Sequence, residues 1–208
     1  MASGLQCGPL VYVYGFLAAM RGVITLTAIM ENRIKLLDKT FRVMIPAEEI
    51  DKAVSRVADQ LNERFEGRTP IFLGVLSGSF LFLSDLVRKV DFHSQVAFVK
   101  LSSYDGTSST GNVKMKLGLG FDIEGRDIII VEDIVETGHS MNYLLQYLQE
   151  MNPASITICT LFFKPNKFQY DYKVDYAALS IGDEFIVGYG LDYNQLGRNL
   201  KDIYVVEE

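Results

Sequence analysis

Apolar β-forming runs alternate with segments of helical periodicity through most of this chain. "IPAEEIDKAVSRVADQLNERF" places Ile50, Val54, Val57, Leu61 and Phe65 at the spacing of one helical face. "PIFLGVL" then reads as a buried strand, and "FLFLSDLVRKV" reads as a second helix. Strands that alternate with helices predict an α/β fold with a doubly wound, mainly parallel sheet.

The alternation continues towards the C-terminus. "SQVAFVKLSS" predicts a strand, "YDGTSSTGN" a long polar loop, and "VKMKLGL" the return arm of a hairpin. "DIIIVE" and "SITICTLFF" predict strands on either side of a helix that ends near Glu150. "DYAALSI" and "FIVGYGL" are the last apolar runs, and we expect an irregular tail after them.

Composition limits the size of the fold and the classes of partner that the protein can bind. Of the 208 residues, 49% are hydrophobic, which is enough for one core and a small lid. The net charge of −6 argues against a general polyanion binder, because such proteins normally carry a basic face. Cys7 and Cys159 form neither a disulfide framework nor a metal motif, so we expect a cytoplasmic protein.

The first 29 residues contain two apolar runs, "LVYVYGFLAAM" and "GVITLTAIM", interrupted by Arg21 and Gly22. Neither run reaches the roughly 18–20 uncharged residues that a membrane span needs. Two interpretations stay open: residues 1–29 are a mis-assigned start before Met30, or they are an extension that packs on the domain. A membrane anchor ranks behind both. Residues 30–208 are expected to form a single domain.

The loop after "DIIIVE" has the chemistry of an anion site. Ligands of doubly wound sheets bind beyond the carboxyl ends of the strands, where "VEDIVETGHSM" lies. The helix that begins near Ser140 points unpaired N–H groups and its positive dipole end into this loop. Gly138 lets an anion approach the backbone, and the Thr137 and Ser140 hydroxyls add donors. This pattern predicts a cradle for a monophosphate.

Glu132 and Asp133 would repel that phosphate, so they must face something else. The vicinal hydroxyls of a sugar donate hydrogen bonds to carboxylates, and a hydrated magnesium ion also binds carboxylate oxygens. A phosphate and a ribose on one loop make a phosphoribosyl site. An ordinary capped strand–turn–helix connection and a receiver-type phosphoacceptor site are the alternatives that these residues leave open.

"VEDIVETGHSM" resembles the phosphoribosyl-diphosphate signature of the type I phosphoribosyltransferases. Three further segments are similar to the hypoxanthine(-guanine) branch of that family: "GVLSGSFLFLSDLVRKV", "LSSYDGTSSTGNVKM" and "FKPNKFQYDYKVDYAALSIGDEFIVGYGLDYNQLGRNL". The resemblance spans about residues 41–206 with the motif order kept. It implies the type I fold, in which a small hood subdomain accompanies the main sheet.

The resemblance also implies the roles of site residues. The 5′-phosphate would be bound by the loop Glu136, Thr137, Gly138, His139 and Ser140, with His139 a bystander. The ribose and a Mg²⁺ ion would be faced by Glu132 and Asp133, and a second Mg²⁺ ion by Asp192. The diphosphate would be bound by Ser77, Gly78 and Arg198, with a non-proline cis peptide between Leu76 and Ser77. The mobile lid would include Ser103 and Tyr104.

At the purine end, the resemblance implies that Lys164 donates to O6 of a 6-oxopurine, which excludes adenine. Phe185 would stack on the ring, and backbone groups of Ile186 and Asp192 would read its edge. Taken without the resemblance, Lys164 reads as a solvated loop charge and Phe185 as a core aromatic. A homo-oligomer, dimer or tetramer, is expected.

Two positions depart from the family pattern. Glu136 stands where the family has an aspartate that assists proton removal from the purine, and one extra methylene moves the carboxylate by roughly an ångström. Ser77 replaces a lysine found in some relatives, so the loop must use backbone N–H groups. A regulator that binds nucleic acid and a pyrimidine-specific transferase remain the alternative functions.

Overall fold

The computed structural model describes residues 33–103 and 113–207 of the chain. Its main sheet has six strands in the order β5-β4-β3-β6-β7-β8. These strands are β3 (Ile71–Leu76), β4 (Gln95–Ser103), β5 (Val113–Leu117), β6 (Asp127–Val135), β7 (Ser155–Phe163) and β8 (Tyr176–Ser180). All neighbours pair in parallel except β4 and β5, which form an antiparallel hairpin. The predicted α/β fold with a mainly parallel sheet is confirmed.

Helices cover both faces of this sheet. Helices α1 (Ala47–Arg64) and α2 (Phe80–Val87) pack on one face with Ile129 and Val131 of β6. Helix α3 (His139–Gln149) packs on the other face with Ile128 and Ile130. Successive β6 side chains therefore enter opposite cores, which explains why the strand sequence is apolar throughout. The predicted apolar face of α1 is buried: Ile50, Val54, Val57, Leu61 and Phe65 are each at most 1% exposed.

A second, smaller sheet is the hood. Its antiparallel strands lie in the order β1-β2-β10-β9. They are β1 (Arg33–Leu36), β2 (Lys39–Ile45), β9 (Ile186–Val187) and β10 (Ile203–Val206). The hood thus joins the beginning and the end of the described chain, two segments that local patterns cannot connect.

Two expectations about the ends of elements are wrong, and the last apolar run is a strand over two residues only. The tail is not irregular throughout, because Ile203–Val206 pairs with β2 and β9 as strand β10. "FIVGYGL" is a strand only at Ile186–Val187, since Gly188, Tyr189 and Gly190 all have positive φ and form a tight turn. Strand β6 continues past Glu132 to Val135, so the acidic pair lies within the strand.

Residues 1–29 lie outside the described residues, and their assignment stays a prediction. Among the described residues, no helix has both the length and the apolar character needed to cross a bilayer.

Candidate active site

The strand order fixes where a ligand can bind. The chain runs from β3 outward to β4 and β5, then returns to place β6 on the other side of β3 and continues outward to β7 and β8. Helices α2 and α3, which follow β3 and β6, lie on opposite faces of the sheet. A crevice therefore opens between the carboxyl ends of β3 and β6, the position at which open α/β sheets bind their ligands.

The predicted diphosphate loop begins at one side of this crevice. The Leu76–Ser77 peptide bond is cis, as expected from the family resemblance. Ser77 is exposed, whereas Gly78 is buried against the Asp133 carboxylate on β6. A Cβ at Gly78 would overlap that carboxylate, so glycine is required for the two strand ends to approach.

Glu132 and Asp133 form a half-buried acidic pair at the end of β6. Glu132 accepts a hydrogen bond from the Asp133 N–H (3.1 Å), and Asp133 accepts one from the Ile134 N–H (2.8 Å). Burial, with the neighbouring Asp133 charge, raises the pKa of Glu132 well above its ordinary value. Burial also raises the pKa of Asp133, although the Arg198 charge opposes that shift. No group of three or more metal-ligating side chains converges within residues 33–103 and 113–207.

The predicted phosphate loop connects β6 to α3. Gly138 has φ of +87° and is followed by the first residue of the helix, His139, so the exposed helix N-terminus opens into the loop. A cavity of about 220 Å³ lies here, lined by Glu132 and residues 134–141. Thr137 and the exposed Ser140 both line it, as expected of a phosphate cradle.

Aromatic side chains cover the back of this loop. A Cβ at Gly138 would meet Phe168, Tyr170 and Tyr172. The Tyr172 hydroxyl donates to the Gly138 carbonyl (2.8 Å), and the Tyr170 hydroxyl lies 2.6 Å from His139 Nδ1. His139 therefore has a side-chain partner, which its interpretation as a bystander did not include.

Glu136 lies between two lysines. Its Oε1 is 3.4 Å from Lys164 Nζ and 2.5 Å from Lys167 Nζ. The hydrogen bond from Lys167 is the main cause that lowers the pKa of Glu136, and the Lys164 charge acts in the same direction. Lys167 had no predicted role, although its spacing of three residues from Lys164 in "KPNK" was a usable signal.

The two side chains proposed to bind the purine have the reverse of the usual solvent exposure: the lysine is buried and the phenylalanine is exposed. Lys164 is only 5% exposed and donates to the Glu184 carbonyl (3.0 Å), so it is not a solvated loop charge. Phe185 is 46% exposed, so it is not a core aromatic, and its ring contacts Phe41 and Tyr193. Ile186 follows in β9 and is buried. A buried cation beside an exposed ring can bind a flat ligand that carries an acceptor.

Arg198 connects the hood turn to the crevice. Its guanidinium donates to the Gly190 carbonyl (2.6 Å) and pairs with Asp192 (2.5 Å). Gly190 lies so close to the Gly78 carbonyl that a Cβ would overlap it. Direct contacts thus join Gly78 to Asp133 and to Gly190, and join Glu136 to Lys164, which also reaches the carbonyl of the residue before Phe185. Tyr104 and the Ser103 side chain lie outside the described residues.

Comparison with known proteins supplies the family. The phosphoribosyl transferase domain family matches residues 46–194. The hypoxanthine-guanine phosphoribosyltransferase of Staphylococcus aureus is 40% identical over 159 residues, 76% of this chain and 89% of that protein. The hypoxanthine-guanine-xanthine enzyme of Tritrichomonas foetus is 37% identical over 174 residues, covering 83% and 95% of the two chains.

The fold agrees with a solved structure. A hypoxanthine phosphoribosyltransferase from Staphylococcus aureus superposes with a TM-score of 0.77 at 36% sequence identity, covering 86% of this chain and 95% of that one. Residues 46–194, which match the family, include the Leu76–Ser77 cis peptide, the acidic pair, the predicted phosphate loop and Lys164, whereas Arg198 lies beyond them. The chain belongs to the phosphoribosyltransferase family, in its hypoxanthine-guanine branch.

Proposed function

We propose that this protein transfers the 5-phosphoribosyl group from phosphoribosyl diphosphate to a 6-oxopurine, hypoxanthine or guanine, and releases diphosphate. The observation that carries this proposal is the burial of Lys164 next to the phosphate loop and near Phe185. A buried ammonium needs acceptors for its three donors. Purine O6 supplies one, whereas the amino group of adenine supplies none, so the same lysine selects the base.

The ribose phosphate is bound by β6 and α3. The 5′-phosphate sits at the helix N-terminus, where unpaired N–H groups and the hydroxyls of Thr137 and Ser140 converge. Glu132 and Asp133 face the ribose hydroxyls. Their raised pKa values indicate that the pair gains from a partner that neutralises it or donates to it.

The diphosphate lies between the two sides of the crevice. The backbone at Ser77 and Gly78 and the guanidinium fork of Arg198 suit its oxyanions. Glu132 and Asp133 also fit Mg²⁺, which takes one or two protein carboxylates and completes its shell with substrate oxygens and water. Asp192, which pairs with Arg198 here, would face a second Mg²⁺ ion. Bound magnesium supplies charge neutralisation for the departing diphosphate.

The purine enters between Phe185 and the lysine. Phe185 stacks on the ring, backbone groups of Ile186 and Asp192 read its edge, and Lys164 donates to O6. The Glu136 carboxylate accepts the proton that the purine loses as its nitrogen bonds to the sugar carbon. Closure of the lid that contains Ser103 and Tyr104 excludes water, which would otherwise capture the oxocarbenium-like sugar.

Diphosphate release tests this proposal. With phosphoribosyl diphosphate and Mg²⁺, we expect turnover of hypoxanthine or guanine and none of adenine or uracil. Lys164→Met removes one charged hydrogen bond, so kcat/KM for hypoxanthine falls by about 10- to 150-fold. Lys173→Met, which removes an exposed lysine nearby, is the matched control.

Each other outcome contradicts part of the proposal. Turnover of uracil alone would make the protein a pyrimidine transferase. Binding of phosphoribosyl diphosphate without turnover of any base would indicate a sensor. Equal loss with Lys164→Met and Lys173→Met would remove Lys164 from base recognition. The homo-oligomer and the cytoplasmic location stay predictions.

A further inference from the structure

Two lysines share one oxygen of Glu136, and they do so unequally. Lys167 Nζ is 2.5 Å from Oε1, while Lys164 Nζ is 3.4 Å away. The Lys164 side chain is 6% exposed and that of Lys167 is 37% exposed. Lys167 therefore approaches the carboxylate from the solvent side and makes the closer contact.

The backbone holds Lys167 at this place. The Lys164 N–H donates to the Val135 carbonyl (3.0 Å), and the Gln169 N–H donates to the Thr137 carbonyl (3.2 Å). These two bonds tie the segment to the phosphate loop on either side of Glu136. Between them, the Lys167 N–H closes a turn on the Lys164 carbonyl (3.2 Å), which directs both lysines to the same carboxylate.

Lys164 is the more distant partner of Glu136, and its other donors have acceptors elsewhere once a purine is bound. One of its donors already goes to the Glu184 carbonyl at 3.0 Å, and the proposed substrate O6 requires another. A glutamate has one more rotatable bond than an aspartate, so its carboxylate needs a second constraint to stay in one place. Lys167 is the side chain in position to supply it.

We propose that Lys167 is a positioning residue for Glu136, and that it compensates for the longer side chain at a position where the family resemblance implies an aspartate. The contact keeps the Glu136 carboxylate at the rim of the base site while Lys164 turns its donors to the purine. This inference rests on the function proposed above. It adds to that function a residue that touches neither substrate.

A double-mutant cycle tests the inference. Lys167→Met should lower kcat for hypoxanthine by about tenfold, because a positioned base contributes on the order of 100-fold or more and only its positioning is lost. The KM for the base should change by less than about threefold. In the Glu136→Asp background the shorter side chain contacts Lys167 less closely, so the same substitution should change kcat less than about twofold.

The pH profile supplies a readout that a purely structural role would not move. Lys164 and Lys167 are the cations that act on Glu136, and the Asp183 charge acts on Lys167. Removing Lys167 raises the pKa of Glu136, so the acid limb of the kcat/KM profile should move to higher pH. Lys167→Arg keeps the charge, so both the pH of the acid limb and kcat should equal those of the wild type.

Controls separate the two proposals. Lys173→Met removes an exposed lysine of the same segment and should leave kcat and the acid limb unchanged. The positioning role is overturned if Lys167→Met lowers kcat by the same factor in the wild type and in the Glu136→Asp variant. It is also overturned if Lys167→Met leaves the acid limb of the pH profile in place. If the wild type turns over no base, the proposed function falls. An NMR titration of the Glu136 carboxyl in wild type and Lys167→Met then still decides whether the two side chains are paired.

Discussion

Single residues decide how closely the two sides of the crevice approach. Gly78 lies against Asp133 of β6 on one side and against Gly190 of the hood on the other. A side chain at position 78 or at position 190 would occupy space already filled by a carboxylate or a carbonyl oxygen. The position of the acidic pair relative to the proposed diphosphate loop therefore depends on glycine at both of these positions.

Gly78→Ala tests this packing. The added methyl group must displace Asp133 or the loop by about an ångström, so kcat/KM for phosphoribosyl diphosphate should fall by about 100-fold. Steady-state kinetics would measure the change. Gly120→Ala is the matched control, because Gly120 has no atom within 4 Å of the added Cβ, and its activity should equal that of the wild type. Normal kinetics for Gly78→Ala would mean that the loop position is not constrained by Asp133.

Among the connections between elements, the β6–α3 loop, which is the proposed phosphate cradle, is packed against the segment that follows β7. In the proposed function the β6–α3 loop presents its N–H groups to the phosphate, and the segment after β7 packs against this loop through Phe168, Tyr170 and Tyr172. A loop that binds a phosphate through its backbone must keep that backbone in one conformation. The aromatic segment supplies this support because the loop itself contains a left-handed glycine.

Tyr172→Phe removes the hydrogen bond to the Gly138 carbonyl and little else. Such a bond contributes about 1 kcal/mol, so Tm should fall by about 2–4 °C, and the KM for phosphoribosyl diphosphate should rise. Thermal unfolding and kinetics measure the two effects. Tyr143→Phe on α3 is the control, since no hydrogen bond of its hydroxyl is seen within the described part of the chain. An unchanged Tm and KM would show that ring packing alone supports the loop.

At the scale of the whole molecule, two sheets bring charges of opposite sign to one crevice. The main sheet supplies the acidic pair, and the hood supplies Arg198, whose charge lowers the pKa of Asp133 against the effect of burial. The balance is incomplete, because both carboxyl groups retain raised pKa values. The acidic pair thus lowers the stability of the ligand-free protein at the proposed ligand site, a common cost of function.

This imbalance predicts the pH dependence of stability. A carboxyl whose pKa is raised by folding binds protons more tightly in the folded state, so its stabilising contribution is present at low pH and is lost as pH rises through the raised pKa. Without divalent metal, Glu132→Gln should therefore raise Tm at pH 8, by about 2–4 °C for each kcal/mol relieved, and raise it less at pH 5.

Glu63→Gln on the exposed face of α1 is the control for that measurement and should show no such difference between the two pH values. Added Mg²⁺ should stabilise the wild type more than Glu132→Gln. A lower Tm for Glu132→Gln at both pH values would show that favourable contacts outweigh the burial of the charge. Glu136 acts in the opposite direction, because its lowered pKa contributes stability that is lost as the pH falls.

Patterns of neighbouring residues were enough to predict the main sheet and the strand–glycine–helix connection that follows β6. Both depend on neighbouring residues: the period of apolar side chains specifies strands and helices, and a strand, a glycine and a helix N-terminus already make an anion site. For the same reason the buried face of α1 agrees with the structure, and residues 134–141 line a cavity after β6, although the acidic pair lies within the strand. The family resemblance, not the pattern, supplied the roles of Lys164, Phe185 and Arg198.

Contacts between segments that are distant in sequence could not be predicted and are seen only in the tertiary structure. The pairing of β10 with β2 joins residues about 160 positions apart, and no local pattern marks a four-residue strand with such a partner. Burial of Lys164, the contact of Lys167 with Glu136 and the approach of Gly190 to Gly78 are likewise contacts across elements. Local periodicity reports which face of an element is apolar, whereas the identity of its neighbour depends on how the whole chain packs.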